Sequence, residues 1–259
     1  MIKAIDFHIK ELDDMKKYPK ELFYIGNTNL LNKRKISIVG SRNPNQYSKQ
    51  YTHILSQQLS NAGVVIVSGG AMGVDGIAHS AAQTSNTIMV AGTGLDIRYP
   101  KIHSNLIKDI ENNGLVLSQF KANTPSQRYN FPIRNELVVA LGEVLVVTQA
   151  DLNSGTIRSV EFALKMGKEI YVLPHRLGES QGTNKLLQEQ KAKVVYDIDA
   201  FVKQFATTLD EKGQVDPFLQ YCQNNPTYDE AIANYNSKVF EYELMGKIEV
   251  KHGIIYLTS

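Results

Sequence analysis

The chain has 259 residues, of which 42% are hydrophobic, 21% charged and 8% aromatic. This balance is typical of globular proteins and excludes a disordered or disulfide-stapled chain. The formal net charge of +2 is too small for the whole molecule to attract nucleic acid, so such binding would need a local cluster of cations.

Cysteine content and hydropathy predict a cytoplasmic protein without a membrane span. The lone Cys222 cannot form an intramolecular disulfide or a cysteine-rich zinc site, which favours a reducing compartment. The longest apolar stretch, residues 137–147, is interrupted by Glu143 and is shorter than the roughly 20 residues that a spanning helix needs. Residues 1–17 mix both charge signs, so no secretory signal is expected.

Apolar runs alternate with helical patterns along most of the chain. The runs are residues 36–40, 64–70, 87–94, 114–119, 143–149, 169–174 and 193–198, and the helical patterns are residues 47–63, 74–85, 103–114, 132–142 and 154–168. Continuous rather than alternating runs indicate strands that are buried on both faces of a parallel sheet. The alternation therefore predicts an α/β fold with an extended, Rossmann-like, doubly wound and mostly parallel sheet.

The sequence predicts four segments. A lead-in at 1–34 is expected to pack on a Rossmann-like domain at 35–206, and a linker at 207–216 leads to a small domain at 217–259. Three short helical patterns followed by two strand patterns give the last segment a winged-helix-like outline. Residues 210–259 carry 4 basic and 8 acidic side chains. Because DNA affinity depends on Lys and Arg, this charge favours docking of a protein partner.

Loops rich in glycine follow four of the predicted strands, at residues 40–44, 68–73, 92–94 and 150–156. In a parallel sheet these loops meet at one edge, where backbone N–H groups and helix N-termini attract anions. Tight turns alone would explain any single loop. Four such loops, with Arg42 in the first and Arg158 just after the last, favour phosphate binding.

The segment 121–134 places Arg128, Tyr129, Phe131 and Arg134 within seven positions. Aromatic rings interleaved with arginines suit single-stranded nucleic acid, because bases stack on the rings and cations follow the backbone. In the alternative interpretation, Phe131 packs on the following helix and Arg134 caps an edge.

Motifs for catalysis and cofactors are weak. A Walker A loop and a dinucleotide-binding G-x-G-x-x-G are absent from the sequence, so no cofactor is expected. Asp75 and His79 are spaced as a helical pair, but no nucleophile accompanies them, and a structural contact between them is favoured. The histidines show no metal-ligand spacing, so neither a metal site nor a catalytic site is expected.

Several motifs resemble the DNA-processing protein A family, also called Smf, in order and spacing. They are VGSRNPNQYSKQ (39–50), VSGGAMGVDGIAHSAA (67–82), GTGLDIRYP (92–100), FPIRNELVVAL (131–141), SGTIRSVEFALKMGKEIYVLP (154–174) and GTNKLL (182–187). The resemblance covers roughly residues 18–205. It implies a protein that is not an enzyme, that binds and protects incoming single-stranded DNA and that loads RecA recombinase onto it during natural transformation, usually as a homodimer.

The resemblance also implies a set of DNA-binding residues. Arg42 would hold a backbone phosphate with the amides of Ser41, Gly69 and Gly70, and Arg128 or else Lys121 would hold a second one. Phe131 would stack on a base, Arg134 and Asn135 would line the groove, and Ser154, Gly155 and Thr156 would offer donors at a helix end. Departures from the family pattern at Glu136 and at Pro174-His175-Arg176 put local contacts in question.

Two other functions compete with this hypothesis. One is a nucleotide phosphoribohydrolase of the lysine-decarboxylase-like Rossmann group, whose paired glutamates would fall at positions that hold Arg158 and Ser159 here, with Glu161 as a remote substitute. The other is an interaction module that docks partners through its C-terminal domain and binds no nucleic acid.

Overall fold

The computed structural model describes residues 1–206, 217–222, 225–244, 246–251 and 253–257, and the chain forms two units, Met1–Thr207 and Thr208–Ser259. The predicted linker at 207–216 lies outside the described residues. The lead-in segment and the Rossmann-like segment fall in the first unit.

The first unit contains a sheet of nine strands. They are β1 (Lys3–Ala4), β2 (Phe23–Gly26), β3 (Lys35–Val39), β4 (Val65–Ser68), β5 (Thr87–Val90), β6 (Leu115–Ser118), β7 (Leu145–Val147), β8 (Ile170–Val172) and β9 (Lys193–Val194), in the order β1-β2-β6-β5-β4-β3-β7-β8-β9. Strands β3 to β9 pair in parallel, whereas β2 pairs antiparallel with β6 and β1 antiparallel with β2. The predicted mostly parallel α/β fold is confirmed.

Helices connect the parallel strands. They are α1 (Gln46–Asn61), α2 (Val74–Ala81), α3 (Ser104–Asn113), α4 (Asn130–Leu141), α5 (Gly155–Lys165), α6 (Gln181–Gln188) and α7 (Ile198–Phe205). The first five match the predicted helical patterns. Asn45 caps the start of α1, because its side chain accepts a hydrogen bond of 2.8 Å from the Ser48 amide.

The strand order reverses between β3 and β7. From β3 the chain proceeds outward through β4, β5 and β6, and it then returns to the other side of β3 to form β7, β8 and β9. The loops after β3 and β7 therefore diverge and leave a crevice at the carboxyl ends of the strands, which is where doubly wound sheets bind their ligands.

Aliphatic side chains fill both faces of the sheet and exclude water from it. Ile36, Ile66, Ile88 and Leu145 are fully buried in the central strands. The lead-in segment contributes Leu12 to the core cluster that contains Ile88 and Leu145. Burial of this apolar surface holds the central strands rigid, so the loops at their ends have a fixed base.

The second unit contains α8 (Pro217–Cys222), α9 (Tyr228–Tyr235), α10 (Ser237–Leu244), β10 (Ile248–Lys251) and β11 (Ile254–Leu257), and the two strands form an antiparallel hairpin. A capping box between Thr227 and Glu230 starts α9. Phe218, Cys222 and Ile255 belong to its separate core. Within the described ranges, none of the helices of either unit is long and apolar enough to cross a membrane.

Candidate nucleic-acid interface

A groove of about 610 Å³ opens where β3, β4 and β7 end. Its described lining includes four arginines, Arg42, Arg128, Arg134 and Arg158, against a single carboxylate, Asp75. These cations are brought together from the loop after β3, the segment before and within α4, and the start of α5. The groove therefore has the charge that attracts a polyanion, although the chain as a whole is nearly neutral.

Glycine at position 73 lets the loops after β3 and β4 touch backbone to backbone. Gly73 has a φ of +81°, and a Cβ there would overlap the carbonyl of Ser41. The Val74 amide donates to the Ser41 carbonyl at 3.1 Å. This contact fixes the loop that carries Arg42, whose side chain is exposed at the groove.

The predicted role of the Ser41 amide is wrong. That amide donates to the carbonyl of Gln149 at 2.8 Å, and the Ser41 hydroxyl accepts from the Asn43 amide at 3.1 Å. The bond to Gln149 joins the loop after β3 to the loop after β7. Ser41 lines the groove, but its amide proton is already used within the fold.

Arg134 lies in the floor of the groove, beneath the loop after β4. Its side chain is only 4% exposed and donates from Nη1 to the carbonyl of Val90 at 2.9 Å. Burial lowers the pKa of Arg134, and the nearby carboxylate of Asp75 opposes this effect. An arginine stays charged at neutral pH, so Arg134 adds a buried positive charge under the groove.

Asp75 supplies the carboxylate in the floor of the groove, close to Arg134. Its Oδ2 accepts a hydrogen bond of 3.2 Å from the Ala71 amide, and the residue is 7% exposed. Burial raises the pKa of Asp75, while Arg134, the bond from Ala71 and, more weakly, Arg42 oppose the rise. Asp75 thus balances part of the positive charge that the two arginines place around it.

Phe131 lies half-buried in the first turn of α4 and bridges several loops. The guanidinium carbons of Arg42 and Arg134 lie 5.6 and 6.0 Å from its ring centre. A Cβ on Gly92 would lie 3.2 Å from the ring. The ring therefore packs between two cations and a glycine-lined loop, a setting in which cation–π contacts hold the arginines in place.

The N-terminus of α5 forms the opposite wall of the groove. Ser154 precedes the helix, and its hydroxyl is buried without a hydrogen-bond partner. The Thr156 hydroxyl donates to the carbonyl of Gly40 at 3.0 Å, which ties this helix to the loop after β3. Gly155 lines the groove and a Cβ there would meet nothing within 4 Å, so the positive end of this helix lies at the open groove.

The structure separates the two candidates for a second phosphate contact. Arg128 lines the groove, whereas Lys121 is exposed and pairs with Glu21 at 3.1 Å, outside the lining of the groove. Asn135 also lines the groove, next to Arg134. The geometry thus supports Arg128 over Lys121.

The sequence departures and the supposed His–Asp pair have structural roles. Glu136 accepts from the Lys16 amide at 2.8 Å and so ties the lead-in segment to α4. In the departure at Pro174-His175-Arg176, Nε2 of His175 lies 2.8 Å from the carbonyl oxygen of Thr148. His79 contacts the Thr87 hydroxyl at 2.7 Å instead of Asp75, so the favoured contact between them is wrong.

The sequence did not identify every residue of the groove. The sequence singles out Asp75 only as half of a helical pair with His79, and Arg158 only as a cation just after the last glycine-rich loop, so it does not predict that both line one groove. Tyr99 and Met72, on a hollow beside the groove, were also missed. The signal available for Tyr99 was its position at the end of the motif at 92–100. Among the described residues, no cluster of His, Cys, Asp or Glu is suited to a metal ion.

The fold and the groove define a class, that of doubly wound α/β proteins with an arginine-lined, glycine-rich crevice at the switch point of the sheet. Residues 5–206 match the family described as DNA recombination-mediator protein A, and the chain belongs to this family.

Curated relatives and solved structures agree with this assignment. The chain is 35% identical over 202 residues to DNA processing protein DprA of Bacillus subtilis, an alignment that covers 76% of this chain and 67% of that protein. It is 33% identical over 189 residues to protein Smf of Escherichia coli, covering 71% of this chain and 50% of that one. The chain thus spans between half and two thirds of the length of these two relatives.

Two solved structures share the fold. One is DNA processing protein A of Helicobacter pylori, described for its single-stranded DNA binding mode, with a TM-score of 0.77 and 40% identity over 79% of this chain and 95% of that chain. The other is DprA of Streptococcus pneumoniae, with a TM-score of 0.73 and 34% identity over 79% of this chain and 74% of that chain.

Proposed function

We propose that the chain binds single-stranded DNA in the arginine-lined groove, protects it and helps to load RecA recombinase onto it during natural transformation. The observation that carries the proposal is the convergence of Arg42, Arg128 and Arg158 with the half-buried ring of Phe131 in one crevice. Cations along a groove hold the DNA backbone, and an aromatic ring accepts a base, which is the usual chemistry of single-strand binding.

Each wall of the groove has its own part in this proposal. Arg42 and the amides of Gly69 and Gly70 hold one phosphate, the N-terminus of α5 holds another, and Arg128, an exposed cation of the groove lining, contacts the backbone as well. Arg134 acts from below, because its guanidinium is buried and already donates to Val90. The strand is bound without reading its sequence, since these contacts go to phosphates and to the face of a base.

Fluorescence anisotropy with labelled single-stranded and duplex oligonucleotides at two salt concentrations tests the binding. We expect salt-sensitive binding that prefers single strands, and Arg42→Ala should lower the affinity for all sequences by about 1–3 kcal/mol and flatten the salt dependence. Arg98→Ala is the matched control, because Arg98 pairs with Glu111 at 2.6 Å and does not line the groove. No binding at low salt, or equal effects of the two variants, would contradict the proposal.

The downstream steps need separate assays. Protection predicts that a bound oligonucleotide resists a single-strand nuclease, and that Arg42→Ala abolishes this resistance. RecA loading predicts faster assembly of RecA filaments on single strands coated with a single-strand binding protein. Analytical ultracentrifugation checks the homodimer that we propose, and fractionation of the native cell checks the proposed cytoplasmic location. Normal DNA binding without any effect on RecA would restrict the function to binding and protection.

A further inference from the structure

A small hollow adjoins the groove on the side of β4 and β5. Its volume is about 50 Å³, and it shares Arg42, Gly69 and Phe131 with the groove. Its other lining residues include Met72, from the loop after β4, and Tyr99, from the loop after β5. The hollow thus continues the groove past the point where Arg42 and Phe131 meet.

Two large side chains are exposed at this hollow. Tyr99 is 44% exposed and Met72 is 49% exposed. The ring centre of Tyr99 lies 6.1 Å from that of Phe131, with an angle of 37° between the planes. Exposed aromatic and thioether groups beside a cationic groove form an apolar surface next to the phosphate-binding residues, rather than part of the core.

The loop that carries Tyr99 is held in place by polar contacts on both sides of it. The Thr93 hydroxyl donates to the carbonyl of Ile97 at 2.9 Å, and a ring nitrogen of His103 lies 3.2 Å from the carbonyl of Gly70. The second contact joins this loop to the one that carries Met72. The exposed side chains of Met72 and Tyr99 therefore lie on two loops that contact each other.

We propose that Tyr99 and Met72 form a base-stacking shelf, on which an unpaired nucleobase rests next to the phosphate held by Arg42. This inference rests on the proposed single-strand binding and adds a residue that selects single strands over duplex. A paired base is covered on both faces by its neighbours in the helix, so only an unstacked base can reach the Tyr99 ring. The shelf thus favours unpaired strands where the arginines alone would accept any phosphate backbone.

The small volume indicates how the base is bound. A hollow of about 50 Å³ is much smaller than a cavity of about 150 Å³, which is the size that encloses a single benzene ring, so it cannot enclose a nucleobase. The base must therefore lie across the open face of Tyr99 with its edges in water. Stacking without edge contacts tolerates any base, so we expect little sequence preference at this site.

The test measures the affinity of the full chain for two probes, hexathymidylate and a hexamer of the same phosphate backbone in which every base is replaced by an abasic sugar. Tyr99→Ala should weaken binding of hexathymidylate by about 5- to 100-fold, as expected for the loss of one stacked base, and should leave binding of the abasic hexamer within about twofold. Tyr99→Phe keeps the ring and should bind both probes as the wild type does. Tyr196→Ala is the matched control, because Tyr196 is an exposed tyrosine outside the groove and the hollow.

The outcomes separate this inference from the function on which it rests. If Tyr99→Ala weakens the binding of hexathymidylate by less than fivefold, or weakens the binding of both probes equally, the inferred shelf is wrong, although the proposed DNA binding is not affected. If Arg42→Ala changes the affinity for neither probe, the proposed function itself is wrong. Should Tyr99→Ala not fold, photocrosslinking of 4-thiothymidine oligonucleotides to the wild type decides, because the shelf predicts adducts at Tyr99 or Met72 and adducts elsewhere alone would overturn it.

Discussion

The guanidinium of Arg134 occupies the space that a side chain at position 69 would need, and the residue found there is Gly69. The two residues come from α4 and from the loop after β4. Their contact places a buried cation directly under a loop that we propose to hold phosphate. The glycine is therefore needed for packing at this position, and not for a turn that only glycine can adopt.

This contact predicts that Gly69→Ala destabilises the protein. The added methyl group forces Arg134 from its bond to Val90, and overpacking of this kind costs about 1–3 kcal/mol of the free energy of unfolding. Urea unfolding of both proteins measures the difference. Gly155→Ala is the control, because a Cβ there meets nothing within 4 Å, and its stability should change by less than about 0.5 kcal/mol. Equal stabilities of the two variants would contradict the packing argument.

A second prediction separates Arg128 from Lys121. Arg128→Ala should weaken single-strand binding by about 1–3 kcal/mol and reduce the salt slope by about one, because it removes one cation from the groove. Lys121→Ala should leave the affinity within about 0.5 kcal/mol, since Lys121 already pairs with Glu21. Anisotropy titrations at several salt concentrations measure both. A larger loss of affinity with Lys121→Ala than with Arg128→Ala would favour Lys121 as the second phosphate contact.

The third prediction concerns Asp75 and pH. Burial raises the pKa of this carboxyl, and bound DNA brings further negative charge that favours its protonated form. DNA binding should therefore take up a proton, so the affinity should increase as the pH falls below the pKa of Asp75 in the complex and should level off below its pKa in the free protein. Asp75→Asn should bind more tightly at neutral pH, by about 1 kcal/mol, and lose this pH dependence.

The measurement for Asp75 is the dissociation constant of a labelled oligonucleotide between pH 5 and pH 8, with thermal melting as a check that the variant is folded. Asp13→Asn is the control, because Asp13 is exposed and pairs with His8, away from the groove. If the affinity of Asp75→Asn depends on pH as that of the wild type does, protonation of this carboxyl is not coupled to DNA binding.

The fourth prediction concerns His79 and stability. Thr87 donates its hydroxyl proton to Ile66, so its oxygen accepts the Nδ1 proton of His79, which fits a neutral imidazole. Burial, with smaller contributions from His103 and Arg134, lowers the pKa of His79 from 6.5 to about 3. The unfolded chain then binds a proton below pH 6.5 that the folded protein rejects. Between pH 6.5 and about 3, this group should therefore lower the free energy of unfolding by about 1.4 kcal/mol for each unit by which the pH falls.

Urea unfolding of the wild type and of His79→Gln at pH 7, 6 and 5 checks this slope. The variant is expected to be less stable at pH 7, but its stability should decline less as the pH falls. His53→Gln removes an exposed imidazole on α1 and should keep the slope of the wild type. Parallel slopes for the wild type and His79→Gln would contradict the assignment of a neutral buried imidazole.

The parallel strands and five of their helices could be predicted from the sequence, because a strand buried on both faces leaves a continuous apolar run. The short strands β1 and β2 were missed, since β1 is exposed and β2 is at most half-buried, so neither shows that pattern. Helix α6 was missed because QGTNKLLQ has only two apolar residues, Leu186 and Leu187, and shows no helical apolar period. The missed α7 did have a signal, in the cap that Asp197 forms with the Ala200 amide.

The candidate site was predictable in its position but not in its contacts. Glycine-rich loops and clustered arginines indicate the edge of the sheet at which the groove opens, because strand ends share that edge in any doubly wound fold. The use of the Ser41 amide by Gln149, the pairing of Lys121 with Glu21 and the burial of Arg134 each depend on a partner far away in the chain. No local pattern carries that information.

The walls of the groove are tied to one another by hydrogen bonds, from the Val74 amide to the Ser41 carbonyl and from the Thr156 hydroxyl to the Gly40 carbonyl. Both walls follow strands of one sheet, so the groove is already formed within the first unit. Such a receptor is preorganised, and the entropy of ordering is lost mainly by the flexible strand. Association should then proceed as fast as electrostatic steering allows, and stopped-flow rates should rise linearly with protein concentration and fall with salt.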